Sequence, residues 1–196
     1  PNPAREVIVS AAGDGEYSTI SAALAAITPS STNPYIIKVM PGTYTENNIV
    51  MKSYVHLQGS GKDVTVIESP SYSNYVIRIE GRTSVAISGF TISGGASGSY
   101  GGIYISNSSP NIENNAITGH DSGIEIYQYS SSSPKIINNT ISGHRYGILT
   151  GIGNSPLITG NYIEGNSNVG IRDDSNDSVI RENNIIGNYN GISVYG

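Results

Sequence analysis

The apolar residues in the C-terminal half of the chain alternate with polar residues in short runs that recur at nearly constant intervals. Gly-Ile pairs begin at Gly102, Gly123, Gly147, Gly170 and Gly191, so successive copies lie 21, 24, 23 and 21 residues apart. A repeated period of this length is typical of solenoid proteins. Each copy contains three short alternating runs bounded by Gly, Ser, Asn or Pro, which predict three short strands joined by tight turns.

Four blocks within these copies align without gaps: NIENNAITG, KIINNTISG, LITGNYIEG and VIRENNIIG. If each strand pairs with its counterpart in the next coil, about 4.8 Å away, equivalent residues stack into ladders. The predicted internal ladder is Ile103, Ile124, Ile148, Ile171 and Ile192. Asn tolerates left-handed backbone and its amide can bond to the next Asn, so a corner ladder is predicted for Asn115, Asn139, Asn161 and Asn184. The pattern therefore predicts an all-β, right-handed parallel β-helix, a single-stranded solenoid of about eight coils.

The N-terminal part of the chain predicts a cap for this solenoid. The apolar run at 7–9 predicts a strand, and Ile20, Leu24 and Ile27 recur at helical spacing after a possible N-cap at Ser18. Because the first coil of a solenoid needs cover, this helix is expected to close the N-terminal end of the core. We therefore predict one domain, 1–196, with a strand and helix cap at 1–34, irregular coils at 35–101 and regular repeats at 102–196.

The irregular coils contain three stronger alternating runs, YIIKV, YVHLQ and YVIRI, which we interpret as equivalents of the Gly-Ile strand. Wide turns at 69–74 and 94–101 are the predicted loops over one face. The last run, GISVYG, supplies one strand of a coil and predicts a C-terminal end with little cover. Such an edge favours either a longer parent protein or end-to-end self-association through residues near Ile180, Ile185, Ile192 and Val194.

Composition narrows the function classes. The formal net charge is −5 and the basic residues are scattered, which argues against a nucleic-acid partner. The chain has no Cys, hence no disulfide framework and no Cys-based metal site. No run is long and apolar enough to predict a membrane span.

The segments GDGEYSTISAALAAI, YIIKVMPGTYTENNIVM and VHLQGSGKDVTVIES resemble the opening of pectinesterases and other pectin-lyase-like β-helix proteins. The run from Gly42 to Glu46 matches their Gly-x-Tyr-x-Glu segment, and the resemblance covers about residues 7–68. It implies a β-helix that interacts with an acidic polysaccharide and is extracellular or at the cell surface. The Gln-Asp, Asp-Phe and Arg-Pro-Trp elements of pectinesterase catalysis are absent from this sequence, as is the Arg-Pro segment of pectate lyases.

In this superfamily, sites usually lie on the outside of the first sheet, and the alternation predicts which residues face outward there. One predicted column is Lys38, His56, Arg78, Tyr104, Glu125, Leu149, Arg172 and Ser193; the second is Met40, Gln58, Glu80, Ser106, Tyr127, Gly151, Asp174 and Tyr195. His56 and Glu125 are the candidate catalytic residues, for proton transfer. The candidate substrate-binding residues are Arg78, Glu80, Tyr104 and Tyr127. The alternative is a solvated strand face with cross-strand charge pairs.

Two other sets of polar residues could bind a metal ion. Asp173, Asp174 and Asp177 could bind Ca²⁺, which prefers oxygen ligands, although a strand end capped by Asp173 is the favoured interpretation. Thr150 shares with Asp173 a ladder position that other coils fill with aliphatic residues. His120 and His144 fall at one corner, where Asn166 and Asn188 continue the column, so a stacked polar corner is favoured over a transition-metal site. No cofactor is therefore expected.

Three functional hypotheses follow from the sequence. The first is a polysaccharide-interacting β-helix without an identifiable catalytic motif. The second is an active pectin or uronate lyase, hydrolase or esterase that uses the outer patch. The third is a structural β-helix scaffold, or part of a larger surface protein. A cluster of perturbed pKa values beneath an overhanging loop would favour the second, whereas a flat and open first sheet would favour the first or the third.

Overall fold

Three parallel sheets wind into a β-helix in this computed structural model, which describes residues 4–70, 74–94, 100–175 and 177–195. Strands are numbered in chain order. Sheet 1 contains β4 (Ile49–Val50), β7 (Ile77–Glu80), β10 (Ile103–Ser106), β13 (Ser122–Ile126), β16 (Tyr146–Thr150), β19 (Val169–Asp173) and β22 (Asn190–Val194). Sheet 2 contains β1 (Arg5–Val9), β2 (Tyr35–Val39), β5 (Val55–Gly59), β8 (Ala86–Ser88), β11 (Asn111–Glu113), β14 (Lys135–Ile137), β17 (Leu157–Thr159) and β20 (Val179–Arg181). Sheet 3 contains β3 (Gly42–Thr45), β6 (Thr65–Ser69), β9 (Thr91–Gly94), β12 (Ala116–Thr118), β15 (Thr140–Ser142), β18 (Tyr162–Glu164) and β21 (Asn184–Ile186).

Each coil contributes one strand to each sheet, in the order sheet 2, sheet 3, sheet 1. Within the described residues, β2 to β22 make seven such coils, against the expectation of about eight. The difference arises at the N-terminus, where β1 adds a strand to sheet 2 and is followed by a helix instead of a second and third strand. The predicted all-β parallel β-helix class is confirmed.

The core is a set of stacked aliphatic ladders inside the three sheets. In sheet 1, Ile103, Ile124, Ile148, Ile171 and Ile192 are successive partners in register, as predicted. The first four are completely buried, whereas Ile192 is 47% exposed and Val194 66% exposed in the last coil. The predicted lack of cover at this end is therefore present, and end-to-end self-association stays a prediction.

Helix α1 (Ile20–Ala26) packs against β1, β2 and β4 and closes the other end of the core, as predicted. Ile20, Leu24 and Ile27 are buried. The predicted N-cap was wrong by one residue: the hydroxyl of Thr19, not of Ser18, accepts a hydrogen bond from the backbone N–H of Ala22. Glu46 also accepts from the N–H groups of Ile20 and Ser21, at 2.7 and 2.9 Å, and so ties the start of the helix to the end of β3.

The Asn corner lies between sheets 2 and 3, and its fourth member differs from the prediction. Asn183, not Asn184, accepts hydrogen bonds from Asn161, and Asn184 lies exposed at the start of β21. Asn183 is the fifth residue of the block VIRENNIIG, as Asn115, Asn139 and Asn161 are of theirs. The alignment was therefore correct, and only the residue chosen from its last block was wrong. The left-handed backbone also falls one residue earlier than expected, at Asn114, Asn138, Gly160 and Glu182.

The irregular coils contain the largest correction. Two of the three strong alternating runs, β2 and β5, belong to sheet 2, and only the third, β7, belongs to sheet 1. Alternation marks which side chains point inward but does not say which sheet a strand joins, and the sheet 1 strand before β7 is the two-residue β4. The predicted loops at 69–74 and 94–101 include residues 71–73 and 95–99, which lie outside the described residues.

Candidate functional site on the outer face of sheet 1

Strand register fixes one outward column of sheet 1 for most of its length. Arg78, Tyr104, Glu125, Leu149, Arg172 and Ser193 are successive partners in the six strands from β7 to β22. The prediction was correct for these residues. It was wrong for Lys38 and His56, which point outward from sheet 2 and pair with strands of that sheet.

Tyrosine rings cover the N-terminal half of this face. The ring of Tyr75 lies 4.7 Å from that of Tyr104 and 5.7 Å, edge-on, from that of Tyr100. Tyr104 in turn lies 5.9 Å from Tyr127, whose side chain is 46% exposed. The four rings form a continuous aromatic surface of the kind that packs against the apolar faces of sugars.

Glu125 lies beside these rings and has a perturbed environment. The hydroxyl of Tyr75 donates a hydrogen bond to Oε2 of Glu125 at 2.7 Å. Burial raises the pKa of Glu125, the hydrogen bond from Tyr75 opposes the increase, and the charge of Asp121 adds to it. A carboxyl group with a raised pKa holds its proton to higher pH, which suits a general acid.

Arginines lie at both ends of the column and are held by neighbouring carboxylates. Arg78 is ion-paired with Glu80, and its guanidinium lies 5.9 Å from the centre of the Tyr104 ring. Arg172 makes two hydrogen bonds to Asp174, of 3.2 and 3.0 Å, and lies 5.0 Å from the ring of Tyr195. These contacts fix the guanidinium planes. Nη1 of Arg78 also donates to Oδ1 of Asn48, at 3.5 Å, whereas the bonds from Arg172 to Asp174 use its Nε and Nη2.

A cleft of about 180 Å³ opens on this face between the ring of Tyr127 and the Arg172–Asp174 pair. It is lined by Glu125, Ile126, Tyr127, Gln128, Leu149, Gly151, Arg172 and Asp174. The cleft therefore combines one carboxyl group of raised pKa, a second carboxylate paired with an arginine, an exposed aromatic ring and an apolar floor. Small ligand sites in proteins have this mixture of an apolar lining and a few convergent polar groups.

The predicted patch is only partly assembled. Arg78, Glu80, Tyr104, Glu125 and Tyr127 lie together on sheet 1. His56 does not join them, because β5 belongs to sheet 2, where Nε2 of His56 lies 2.9 Å from Oγ of Ser88. Sequence reasoning missed Tyr75, because in the run YVIRI it is in phase with the inward Ile77 and Ile79. It precedes β7, and its hydroxyl donates to Glu125 on the outer face.

Two of the three candidate calcium ligands, Asp173 and Asp174, are engaged with protein groups. The Asp173 carboxylate is buried and accepts hydrogen bonds from the hydroxyls of Thr150, at 2.5 Å, Ser175, at 2.6 Å, and Ser178. These bonds hold the pKa of Asp173 below its ordinary value although burial acts in the opposite direction. Across the part of the chain that the structure describes, no group of three or more His, Asp or Glu side chains is placed to hold a metal ion.

His120 and His144 stack in the corner between sheets 3 and 1, with ring centres 5.7 Å apart and planes at 10°. Nδ1 of His144 accepts a hydrogen bond from the backbone N–H of His120, at 3.1 Å. Asn166 and Asn188 continue the same column, as predicted. The pair is therefore part of a hydrogen-bonded corner of the fold.

Family models match both halves of the chain. The model described as "Right handed beta helix region" matches residues 75–196. The chain belongs to the right-handed β-helix family. The model described as "Pectinesterase" matches residues 6–109, just over half of the chain, so the chain belongs to that family as well, in its N-terminal half. These matches confirm the predicted resemblance to pectin-lyase-like β-helix proteins.

Individual relatives agree with this assignment. The chain is 34% identical over 86 residues to "Probable pectinesterase/pectinesterase inhibitor 19" of Arabidopsis thaliana, a match to 43% of the chain and 16% of that protein. The chain thus spans about a sixth of the length of the curated relatives it matches.

Solved structures share the fold at low sequence identity. A pectin methylesterase from carrot superposes with a TM-score of 0.65 at 17% identity, over 99% of this chain and 73% of that one. The catalytic domain of a GH87 α-1,3-glucanase variant, D1069A, in complex with nigerose gives 0.72 at 18% identity, over 100% of this chain and 38% of that one. A pectin methylesterase in complex with hexasaccharide VII gives 0.56 at 15% identity, over 87% and 71%.

Among the residues that the structure describes, no α-helix is long and apolar enough to cross a membrane.

Proposed function

We propose that this β-helix binds an acidic polysaccharide along the outer face of sheet 1. The observation that carries the proposal is the aromatic surface of Tyr75, Tyr100, Tyr104 and Tyr127 beside a cleft that contains Arg172. Rings of this kind pack against sugar faces, and arginines bind carboxylates through two parallel hydrogen bonds. Binding of such a polymer would place the protein outside the cell.

Two arginine side chains on this face could bind a sugar that carries carboxylates. Arg172 has one edge committed to Asp174, and Arg145, which is exposed, lies 5.0 Å from the ring of Tyr146. Both guanidiniums lie in the C-terminal half of the face, where a uronate carboxylate could reach them. The tyrosine rings would then contact the neighbouring sugars of the same polymer. The similarity to pectinesterases and to saccharide-bound pectin methylesterase supports the same class of ligand.

The test is a binding titration with oligogalacturonates, their methyl esters and neutral α-1,3-gluco-oligosaccharides. We expect the free oligogalacturonates to bind most tightly and to shift the NMR signals of Tyr127 and Arg172. The variant Tyr127→Ala should bind about tenfold more weakly, which corresponds to loss of one aromatic contact of about 1.4 kcal/mol. Tyr162→Ala, which removes a half-exposed tyrosine from the outer face of sheet 3, is the matched control and should bind normally.

Binding of equal strength by neutral and acidic oligosaccharides would show that the arginines do not select the ligand. No binding by any of them, with the variants correctly folded, would contradict the proposed function itself.

A second function is favoured by Glu125: hydrolysis of the bound saccharide. Glycoside hydrolysis commonly uses two carboxyl groups, one protonated acid and one ionised partner. Glu125, with its raised pKa, and Asp174, which is paired with Arg172, line the same cleft. If this is correct, Glu125→Gln should abolish product release from an acidic oligosaccharide but leave its binding affinity within about threefold. Equal activity of the variant and the parent protein would exclude Glu125 as the acid.

A further inference from the structure

His56 and Ser88 form an interaction on sheet 2 that the proposed polysaccharide face does not use. Nε2 of His56 lies 2.9 Å from Oγ of Ser88, a distance at which the hydroxyl can donate to an unprotonated ring nitrogen. Both side chains are half-exposed on the outer face, so solvent and small molecules reach them. We propose that Ser88 is a nucleophile activated by His56, and that this pair accepts the acyl group of small alcohol esters.

Strand register explains why the two side chains meet. His56 lies opposite Ala86, and Ser88 lies two residues further along β8, in the next outward column. Because Ala86 carries a single methyl group, the imidazole can lean across it and reach the serine. Both strands are held by their neighbours in sheet 2, so this geometry is built on rigid elements, as a catalytic pair requires.

Two neighbouring side chains of sheet 2 carry groups of the kind that acyl transfer uses. Gln58 lies opposite Ser88 on β5 and offers an amide in the same outward column, the type of donor that stabilises an oxyanion. Glu113 lies opposite Ser88 on β11 and raises the pKa of His56, so its charge favours the imidazolium that forms during attack. Burial has the larger influence and lowers the pKa of His56, which keeps the ring neutral and able to accept a proton.

The reaction balances with these groups and water. Oγ of Ser88 forms a bond to the ester carbonyl carbon as its proton moves to Nε2 of His56. The carbon–oxygen bond to the alcohol breaks, and the leaving oxygen takes the proton from Nε2. Water then gives a proton to Nε2 and attacks the acyl carbon, the carboxylic acid leaves, and Oγ of Ser88 recovers its proton from Nε2.

The methyl group of Ala86 limits what can bind beside the pair. It lies between His56 and Asn111 in their outward column and is the smallest of the three side chains. We therefore expect an acyl group of about one or two carbons beside the pair, with the alcohol part of the ester directed away from the sheet. The structure therefore points to short acyl esters, such as acetyl esters, as the substrate class.

A fluorophosphonate probe tests the nucleophile directly, because its phosphorus is attacked by activated serines with release of fluoride. Peptide mass spectrometry should locate one adduct at Ser88. His56→Gln should slow labelling about 100-fold, the usual contribution of a general base. Ser142→Ala, which removes a half-exposed hydroxyl from sheet 3, is the control and should label at the parental rate.

Turnover of 4-nitrophenyl acetate provides the second measurement. We expect release of 4-nitrophenol that disappears in Ser88→Ala and falls about 100-fold in His56→Gln. Ser142→Ala should leave turnover unchanged as well, because Ser142 lies on sheet 3. The ester assay depends only on residues of sheet 2, so its outcome is separate from that of the saccharide titration. Absence of an adduct at Ser88, or labelling of His56→Gln at the parental rate, would show that the hydrogen bond is structural and overturn the proposal.

Discussion

At two corners of the β-helix, different side chains accept a hydrogen bond from the same backbone N–H group of the turn. Between sheets 2 and 3, the ladder consists of Asn115, Asn139, Asn161 and Asn183. Between sheets 3 and 1, it consists of His120, His144, Asn166 and Asn188. At both corners a residue with left-handed backbone comes first, and the N–H of the next residue donates to the ladder side chain of the following coil.

The imidazole of His144 reproduces the hydrogen bonds of an asparagine amide. Its Nδ1 accepts from the N–H of His120, as Oδ1 of Asn139 accepts from the N–H of Asn115. Its Nε2 lies 2.9 Å from the carbonyl oxygen of Ile117 and donates there, as Nδ2 of Asn139 donates to Ile112. The comparison teaches that the corner requires one acceptor and one donor at fixed positions. An amide supplies both at every pH, whereas an imidazole supplies both only when neutral.

The largest expected effect comes from removing an amide in the middle of the Asn corner. Asn139→Ala removes donors to Ile112 and Asn161 and leaves the N–H of Asn115 without its acceptor. Because these groups are buried, the free energy of unfolding should fall by about 3 kcal/mol in urea titrations.

Asn184→Ala is the matched control for this change, since Asn184 is exposed and adjacent to the true ladder member, Asn183. It should change the free energy of unfolding by less than about 0.5 kcal/mol. Equal losses in the two variants would show that the amide ladder does not stabilise the corner.

Acid should weaken the His corner selectively. Burial lowers the pKa of His120 to about 4, with the charge of His144 adding to the decrease, and burial also lowers the pKa of His144. Because the folded-state pKa values lie below the ordinary value of about 6.5, the unfolded chain binds protons first. Stability is therefore complete above about pH 6.5 and is lost as the pH falls towards 4.

The measurement compares the parent protein with the double variant His120→Asn and His144→Asn, at pH 7 and pH 4.5. The parent should lose about 2 kcal/mol more of its unfolding free energy than the double variant. Glu125, whose pKa is raised by burial, contributes with the opposite sign in both proteins and cancels in the comparison. Identical pH dependence of the two proteins would mean that the histidines do not titrate on unfolding.

The backbone position before each ladder residue offers a smaller test. At the His corner this position is always glycine in the regular coils, and Gly143 has φ of +71°. A Cβ there would meet Oγ1 of Thr118 at an ordinary 3.5 Å, so Gly143→Ala should cost only the left-handed strain, about 1 kcal/mol. Asn138→Gly, at the corresponding position of the Asn corner, relieves such strain and should leave the melting temperature close to that of the parent.

The sequence was sufficient for the fold because its evidence is periodic. The Gly-Ile interval gave the coil length, and alternation around Ile103 and Ile124 gave the buried face. It was not sufficient to assign β2 and β5 to a sheet, because alternation is the same on all three sheets. That ambiguity placed His56 next to Arg78, whereas the structure places it next to Ser88.

The candidate site was also predicted only where its residues lie within periodic strands. Arg78, Tyr104 and Glu125 were placed together correctly because their strands β7, β10 and β13 pair in register. The hydrogen bond from Tyr75 to Glu125 could not be predicted, because Tyr75 lies before its strand and its direction depends on the turn that precedes β7. Burial raises the pKa of Glu125 and the bond from Tyr75 opposes the increase, and a sequence pattern reports neither.

The smallest expected effect is also the most direct test of the comparison between the corners. His144→Asn replaces the imidazole by the amide that the next two coils already use, at Asn166 and Asn188. If the corner requires one acceptor and one donor, Oδ1 of the new residue accepts from His120 and its amide donates to Ile117. The free energy of unfolding at pH 7 should then change by less than about 1 kcal/mol in urea titrations. His144→Ala, which supplies neither group, should lose at least twice as much. A loss in His144→Asn as large as in His144→Ala would show that packing of the stacked rings, and not their hydrogen bonds, stabilises this corner.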